Sequence, residues 1–321
     1  MDNLFISILN LSLTGTYVIT AILLARLLLK KSPKALSYCL WAVAGIRLTL
    51  PFSIDSIWSP VPFGAQPIAV DTIATVISDT GATSTSLANT LITVGGFIWI
   101  IGAVIMFGYG VVSYFILKHK LQKSAHQYEN VFEGADIKSP YVLGFISPNI
   151  YLPLGLSDSE RKYVILHEQI HIRRFDHFTK FAAYLILSFH WFNPFVWLAF
   201  NLMCRDMEMS CDEHVLSKMG IEESKEAYSM ALVTLAIDKP LIAGSPLAFG
   251  GGDAKARVKN VLSFKKYSKL AGAAKVILVI ALSVGLLTNT ARASIPGDLQ
   301  EESIWPIYPT FSCCTGESYW W

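Results

Sequence analysis

The sequence predicts a mainly α-helical membrane protein, with four transmembrane helices and one polar α+β domain held on a single side of the bilayer. Three observations predict it. Of 321 residues, 53% are hydrophobic and only 16% charged, and the mean hydropathy is +0.45; a soluble domain carries nearer a quarter charged residues. Four apolar runs approach the roughly 20 residues a spanning helix needs. The long interval between the third and fourth runs is polar and rich in potential metal ligands. The net charge of +2 singles out no partner class and gives no reason to expect direct nucleic-acid binding.

The four runs are 5–29, 36–54, 91–117 and 270–287. The first lacks the basic start of a cleavable signal and is too long for one, so it is read as a span. Lys and Arg set the orientation. They cluster in "KKSPK" after the first run, in "KHKLQK" after the third and in "KKYSKLAGAAK" before the fourth, and none occurs between Arg47 and Lys118 or after Arg292. Both termini are therefore expected outside. The boundaries are 1–117 for three spans with an external loop at 55–90, 118–269 for a cytoplasmic domain, 270–290 for the fourth span and 291–321 for an external tail. Arg26 is expected to snorkel from its helix end, while Arg47 either snorkels or pairs inside the bundle. Five cysteines, an odd number, give no disulfide framework; the adjacent Cys313 and Cys314 sit in the tail.

A fifth apolar run, 181–203, is interrupted by Asn193-Pro194. Proline disfavours helix at the residue before it, so two short helices with a bend are expected. In 139–156, "SPYVLGFISPNIYLPLGL" alternates β-branched and aromatic residues with Gly and Pro, which predicts strands. "LSDSERKYVILHEQIH" then offers Ser157 or Asp158 as the cap of a helix with apolar residues at helical spacing. On that helix His167 and His171 are four apart, so both imidazoles leave one face and can share a zinc ion. Glu168 beside them is placed as general base toward a metal-bound water.

A catalytic zinc takes a third protein ligand. "NLMCRDMEMSCDEH", 201–214, offers Glu208 and Asp212 four apart on one helical face, with Asp212 suited to orienting a ligand. Cys204, Asp206, Cys211, Glu213 and His214 compete, and spacing alone gives Glu208 only a modest lead.

The segments "SPYVLGFISPNIYLP", "HEQIHIRRFDH", "HWFNPFVWLAF" and "RDMEMSCDEHVL", with "LWAVAGIRLTLPFSIDS" at 40–56, follow one another in an order that resembles the M56 membrane metallopeptidases of the BlaR/MecR sensor-transducer type. The resemblance covers about 1–290. It implies a gluzincin peptidase domain in which His167, His171 and Glu208 hold Zn2+, Glu168 is the base and Asp212 supports the site, with Asp176 and His177 as further supporting candidates. A shared ion forbids a full crossing by 181–203, which would carry Glu208 about 30 Å from the histidines, so that run is expected as a bent, re-entrant or buried helical hairpin. The resemblance further implies a cytoplasmic protein substrate, namely a winged-helix repressor, and self-cleavage between Ser263 and Phe264; the lipid bilayer and a second copy of the chain, as a homodimer, are the other partners expected. For the basic residues of 253–269 the residues themselves favour a helix held at anionic lipid. The penicillin-binding domain that such sensors carry after the fourth span is not expected in a tail of this length. Two alternatives stand beside this reading: a non-proteolytic transducer with a vestigial site, and a processing protease similar to the M48 group.

Overall fold

The computed structural model describes residues 2–50, 54–56, 84–121, 125–128, 130–135, 137, 139–144, 146–219, 225–237 and 254–264, together with 269–290. Most of the 55–90 loop and the 291–321 tail with Cys313-Cys314 lie outside the described residues.

Helices α1 (Asp2–Leu28) and α3 (Ser84–Leu121) contain apolar stretches of 26 and 33 residues, long enough to cross a bilayer. Helix α9 (Lys269–Leu287) holds a shorter one, Ala273–Leu287. Helix α2 (Lys34–Thr49) stops short of the expected 54, because Leu50 precedes Pro51 and takes an extended conformation. Leu91, Phe97, Ile98, Ile101, Val104, Ile105, Val112, Phe115 and Ile116 stand exposed along α3, and Ile277, Leu278, Ile280 and Val284 along α9. Such continuous apolar faces belong in hydrocarbon; this is a membrane protein.

The run 181–203 folds as two helices, α5 (Asp176–Phe189) and α6 (Pro194–Lys218), joined by a tight turn at 190–193. The turn is anchored among the apolar helices. Asn193 Nδ2 donates to the Ser12 carbonyl (3.3 Å), Ser12 Oγ (2.7 Å) and Thr16 Oγ1 (2.8 Å) of α1, while its Oδ1 accepts from the Phe195 amide and caps α6. Trp99 Nε1 of α3 donates to the Phe189 carbonyl, Trp191 Nε1 to the Trp99 carbonyl and Tyr184 Oη to the Met106 carbonyl. Helix α3 can lie this close because Gly102 faces Trp191 and Gly110 faces Tyr184, where any side chain would collide with the ring. Trp191 and Tyr184 of this run thus pack against α3. Replacing Asn193 by Ala deletes the cap and strands Ser12, so a loss of about 1–3 kcal/mol is expected. An unchanged thermal unfolding profile in detergent would show that the turn is held by something else.

One apolar core joins α1, α2, α5, α6 and α9, through Val18, Ile22, Leu40, Leu187 and Phe200 among others. Arg26 does not snorkel. Its guanidinium makes two hydrogen bonds to Asp206 of α6 (2.8 and 2.7 Å), and Trp41 Nε1 donates to the same carboxylate at 2.9 Å. Asp206, nearly inaccessible, gives that cation a better partner than distant headgroups. Arg47 is buried as well.

Beyond this bundle lies a four-stranded sheet in the order β2 (Ala125–Tyr128), β3 (Val131–Gly134), β5 (Asn149–Pro153), β4 (Tyr141–Leu143). Strands β4 and β5 fall in the predicted 139–156 region. The β2–β3 hairpin was not foreseen, since its alternation is short and polar. Helix α4 (Asp158–Arg173) packs over the sheet through Val164 against Val131, Ile150 and Leu152. Its start is a capping box in which Ser157 and Glu160 satisfy each other's amides. A second core, with Tyr163, Ile170, Cys211, Val215 and Tyr228, locks α4 and α6 to α7 (Lys225–Ile237) and α8 (Ala254–Ser263). Short strands β1 (Ile54–Ser56) and β6 (Thr288–Thr290) pair in parallel, joining the segments that follow α2 and α9.

Candidate active site

Helices α4 and α6 cross where the apolar bundle meets the polar domain, and the predicted residues converge there. His171 Nε2 lies 3.0 Å from His167 Nε2, and the Glu208 oxygens lie 3.5 Å from His167 Nε2 and 3.7 Å from His171 Nε2. Glu168 is half-buried beside them on α4.

The far side of each ring is already committed. His171 Nδ1 lies 2.7 Å from Asp176 Oδ2, an arrangement in which the ring N–H donates. His167 Nδ1 lies 3.1 Å from Tyr228 Oη, whose own proton goes to Asp212 Oδ1 at 2.7 Å. Both Nε2 atoms then carry lone pairs that face the same point, and Arg257 Nη2 lies 3.4 Å from the one on His167. A tetrahedral ion with bonds of about 2.0–2.1 Å separates its ligand atoms by roughly 3.3 Å, so the two imidazoles and the carboxylate fit a metal.

The supporting groups come from far apart in the chain. Asp176 reaches back to His171 because Phe175, in the left-handed region at φ 57°, turns the backbone sharply between α4 and α5. A bulky residue there carries strain of about 1–3 kcal/mol, held by the helices on either side. His177 follows Asp176 at the start of α5. Its ring packs against Phe175 and Phe178, with centroids 6.2 and 4.6 Å away.

Two residues of the site were missed in the sequence. Tyr228 sits on α7. Arg257 sits on α8, where its guanidinium grips Asp212 with Nε–Oδ2 at 2.8 Å and Nη2–Oδ1 at 2.7 Å and meets Glu208 Oε2 at 3.1 Å. This corrects the expectation that the basic residues of 253–269 lie on lipid: Arg257 turns inward. A lone Arg in a Lys-rich helix gives no signal of that, apart from the buried acids it must neutralise. Burial alone would raise the Asp212 carboxyl, but Arg257 outweighs it and holds the group below the ordinary carboxylate range. Glu208 follows the same logic, with Arg257 and the two imidazoles overcoming burial. Burial and the Asp212 charge push the Tyr228 phenol well above its usual value, so it stays a proton donor.

The competing ligands sort themselves by contact. Asp206 is bound to Arg26, Cys204 is in the apolar core, Glu213 accepts from the Lys34 amide and Asn260, and His214 is exposed. Cys211 remains close. Its Sγ lies within 4.8 Å of the imidazole ligand atoms, and its thiol donates to the His167 carbonyl at 3.4 Å.

The expected self-cleavage bond lies at the end of α8. Ser263 ends α8, the Phe264 amide donates to the Val261 carbonyl at 3.2 Å, the Phe264 carbonyl accepts from Lys225 Nζ at 2.5 Å, and the Phe264 ring packs on the second core.

Comparison with known proteins agrees with the geometry. The regulatory protein BlaR1 of Bacillus licheniformis is 33% identical over 166 residues, half of this chain and 28% of that protein. The methicillin resistance mecR1 proteins of Staphylococcus aureus and Staphylococcus epidermidis are 25% identical over 169 residues, again half of this chain and 29% of theirs. The matched stretch thus spans less than a third of each relative. The family described as BlaR1 peptidase M56 matches residues 6–261, well over half of the chain, and the chain belongs to that family.

Proposed function

We propose that this protein is a zinc metalloendopeptidase that cuts a cytoplasmic protein, with His167, His171 and Glu208 as ligands and Glu168 as general base. The observation that carries this is the convergence of two lone-pair imidazole nitrogens and a carboxylate within 3.0–3.7 Å. When bound, zinc supplies a Lewis acid that brings the pKa of a coordinated water toward neutrality. Glu168 would stand as the general base, placed to accept a proton from the attacking water and to return it to the leaving amine. Tyr228 and Asp176 hold each ring with Nε2 turned toward the metal position, and Asp212 with Arg257 holds Tyr228. Strand β4 packs against α4 and has a sheet neighbour on one side only among the described residues. Its open edge suits an extended peptide, which would add as a further strand.

The topology that fits is four spans, α1, α2, α3 and α9, with both ends outside and the 118–269 peptidase domain cytoplasmic. The distribution of Lys and Arg supports it, and so does the β1–β6 pairing, which keeps the outer ends of α2 and α9 together. The proposed target is a winged-helix repressor, in keeping with relatives named for regulation and resistance. Self-cleavage at Ser263-Phe264 is a further step of the same chemistry. A peptidase acts on extended backbone, so the end of α8 must unwind before that bond can reach the site.

The proximity of Cys211 favours a second reading, a closed His-His-Cys metal site without an open position for water. Metal analysis of purified protein separates them. One zinc per chain is expected in the wild type and in Cys211→Ser, and loss of zinc in Glu208→Ala. Zinc lost with Cys211→Ser but kept with Glu208→Ala would establish the closed site instead.

A further inference from the structure

The Asp176 carboxylate is nearly inaccessible and divides its two oxygens between two helices. Oδ2 lies 2.7 Å from His171 Nδ1, while Oδ1 accepts from Tyr38 Oη of α2 at 3.0 Å. Arg174 closes the group, with Nε 3.5 Å from Asp176 Oδ2 and its guanidinium over the Tyr38 ring at 5.1 Å. The remaining edge of His171, Nε2, faces His167 and Glu208. Only two hydrogen bonds therefore separate α2, a helix of the apolar bundle, from the candidate metal position.

We infer that Tyr38 is a positioning residue for His171: through Asp176 it fixes the plane and tautomer of that imidazole, so the placement of α2 sets how firmly the metal is held. A carboxylate that accepts from an imidazole N–H both aims the ring and raises its basicity. An Asp176 anchored only at its own backbone can rotate about its side-chain bonds. The phenol on its second oxygen removes that freedom, and the phenol's position is that of α2. Arg26 and Trp41, at the same end of that helix pair, bind Asp206, two residues before Glu208 on α6. The α1–α2 pair thus touches the supports of both ligand-bearing helices, so a shift of α2 within the membrane reaches His171 without any contact with substrate. The inference rests on the metal reading proposed above.

The test uses full-length protein in detergent, with zinc affinity from competition against a chelator and the visible absorption of the Co2+-substituted site. Tyr38→Phe keeps the ring beneath Arg174 and removes only the donor. Loss of an outer partner of this kind costs roughly 10–100-fold in metal affinity. Tyr38→Phe is expected to weaken zinc by about tenfold and to shift the Co2+ bands. In an Asp176→Asn background the same change should have no further effect, because the path runs through that carboxylate. Cys39→Ala, at the adjacent exposed position, should match the wild type. Wild-type affinity and an unmoved spectrum for Tyr38→Phe would overturn the inference, as would a loss of equal size in the Asp176→Asn background. A wild-type protein that holds no zinc would bring down the metal reading itself, an outcome distinct from either.

Discussion

Glu168→Gln is expected to lower peptide-bond cleavage by about 10²–10⁴-fold while leaving zinc content unchanged. That range is what a positioned general base contributes. The substitution keeps size and shape but cannot accept a proton, and Glu168 is not among the atoms that converge between the two imidazoles. The measurement is the fragment pattern of the protein and of a cytoplasmic substrate, read beside metal content. Cleavage persisting at the wild-type rate in zinc-loaded Glu168→Gln would remove this residue from the chemistry and leave the site without its base. The same variant should accumulate full-length chain where the wild type yields a cut near Ser263-Phe264.

Arg257→Met is expected to destabilise the domain by about 3–5 kcal/mol, the usual cost of breaking a buried ion pair from one side. The Asp212 side chain is wholly inaccessible, and Arg257 is its bidentate partner. With Arg257 gone, a carboxylate remains desolvated beside the Tyr228 phenol. The double variant Arg257→Met with Asp212→Leu removes both charges and should recover part of the loss, because a pair replaced by apolar residues is close to neutral. Arg257 holds the Asp212 carboxyl below its ordinary value, so the pair's contribution is complete at neutral pH and falls away only as the pH drops through that lowered folded-state value. A single variant as stable as the wild type would show that Asp212 finds its counter-charge elsewhere.

What the sequence revealed follows the range over which each signal acts. The HEQIH helix, its Ser157 cap and the break at Asn193-Pro194 depend on neighbours within about one turn, and each stands where local spacing placed it. Glu208 and Asp212 were visible as a pair because they share a helical face. Their partners were not: Tyr228 lies 61 residues from His167, Arg257 lies 45 from Asp212, and Tyr38 lies 138 from Asp176. Only the folded backbone brings such groups together. Arg26 was misjudged for the same reason. A basic residue near a helix end snorkels unless a buried acid is within reach, and Asp206 is 180 positions away.

Helix α6 runs 25 residues with no glycine, and its one proline is at the first position, so it behaves as a stiff rod. One end is fastened to α1 at Asn193, and Glu208 lies fifteen positions on, about 22 Å along the axis at 1.5 Å per residue. Tilting the rod by about five degrees around its fastened end would carry that carboxylate roughly 2 Å, as far as a metal–oxygen bond is long. An angular change too small to alter the outline of the bundle is therefore enough to make or break coordination at the far end.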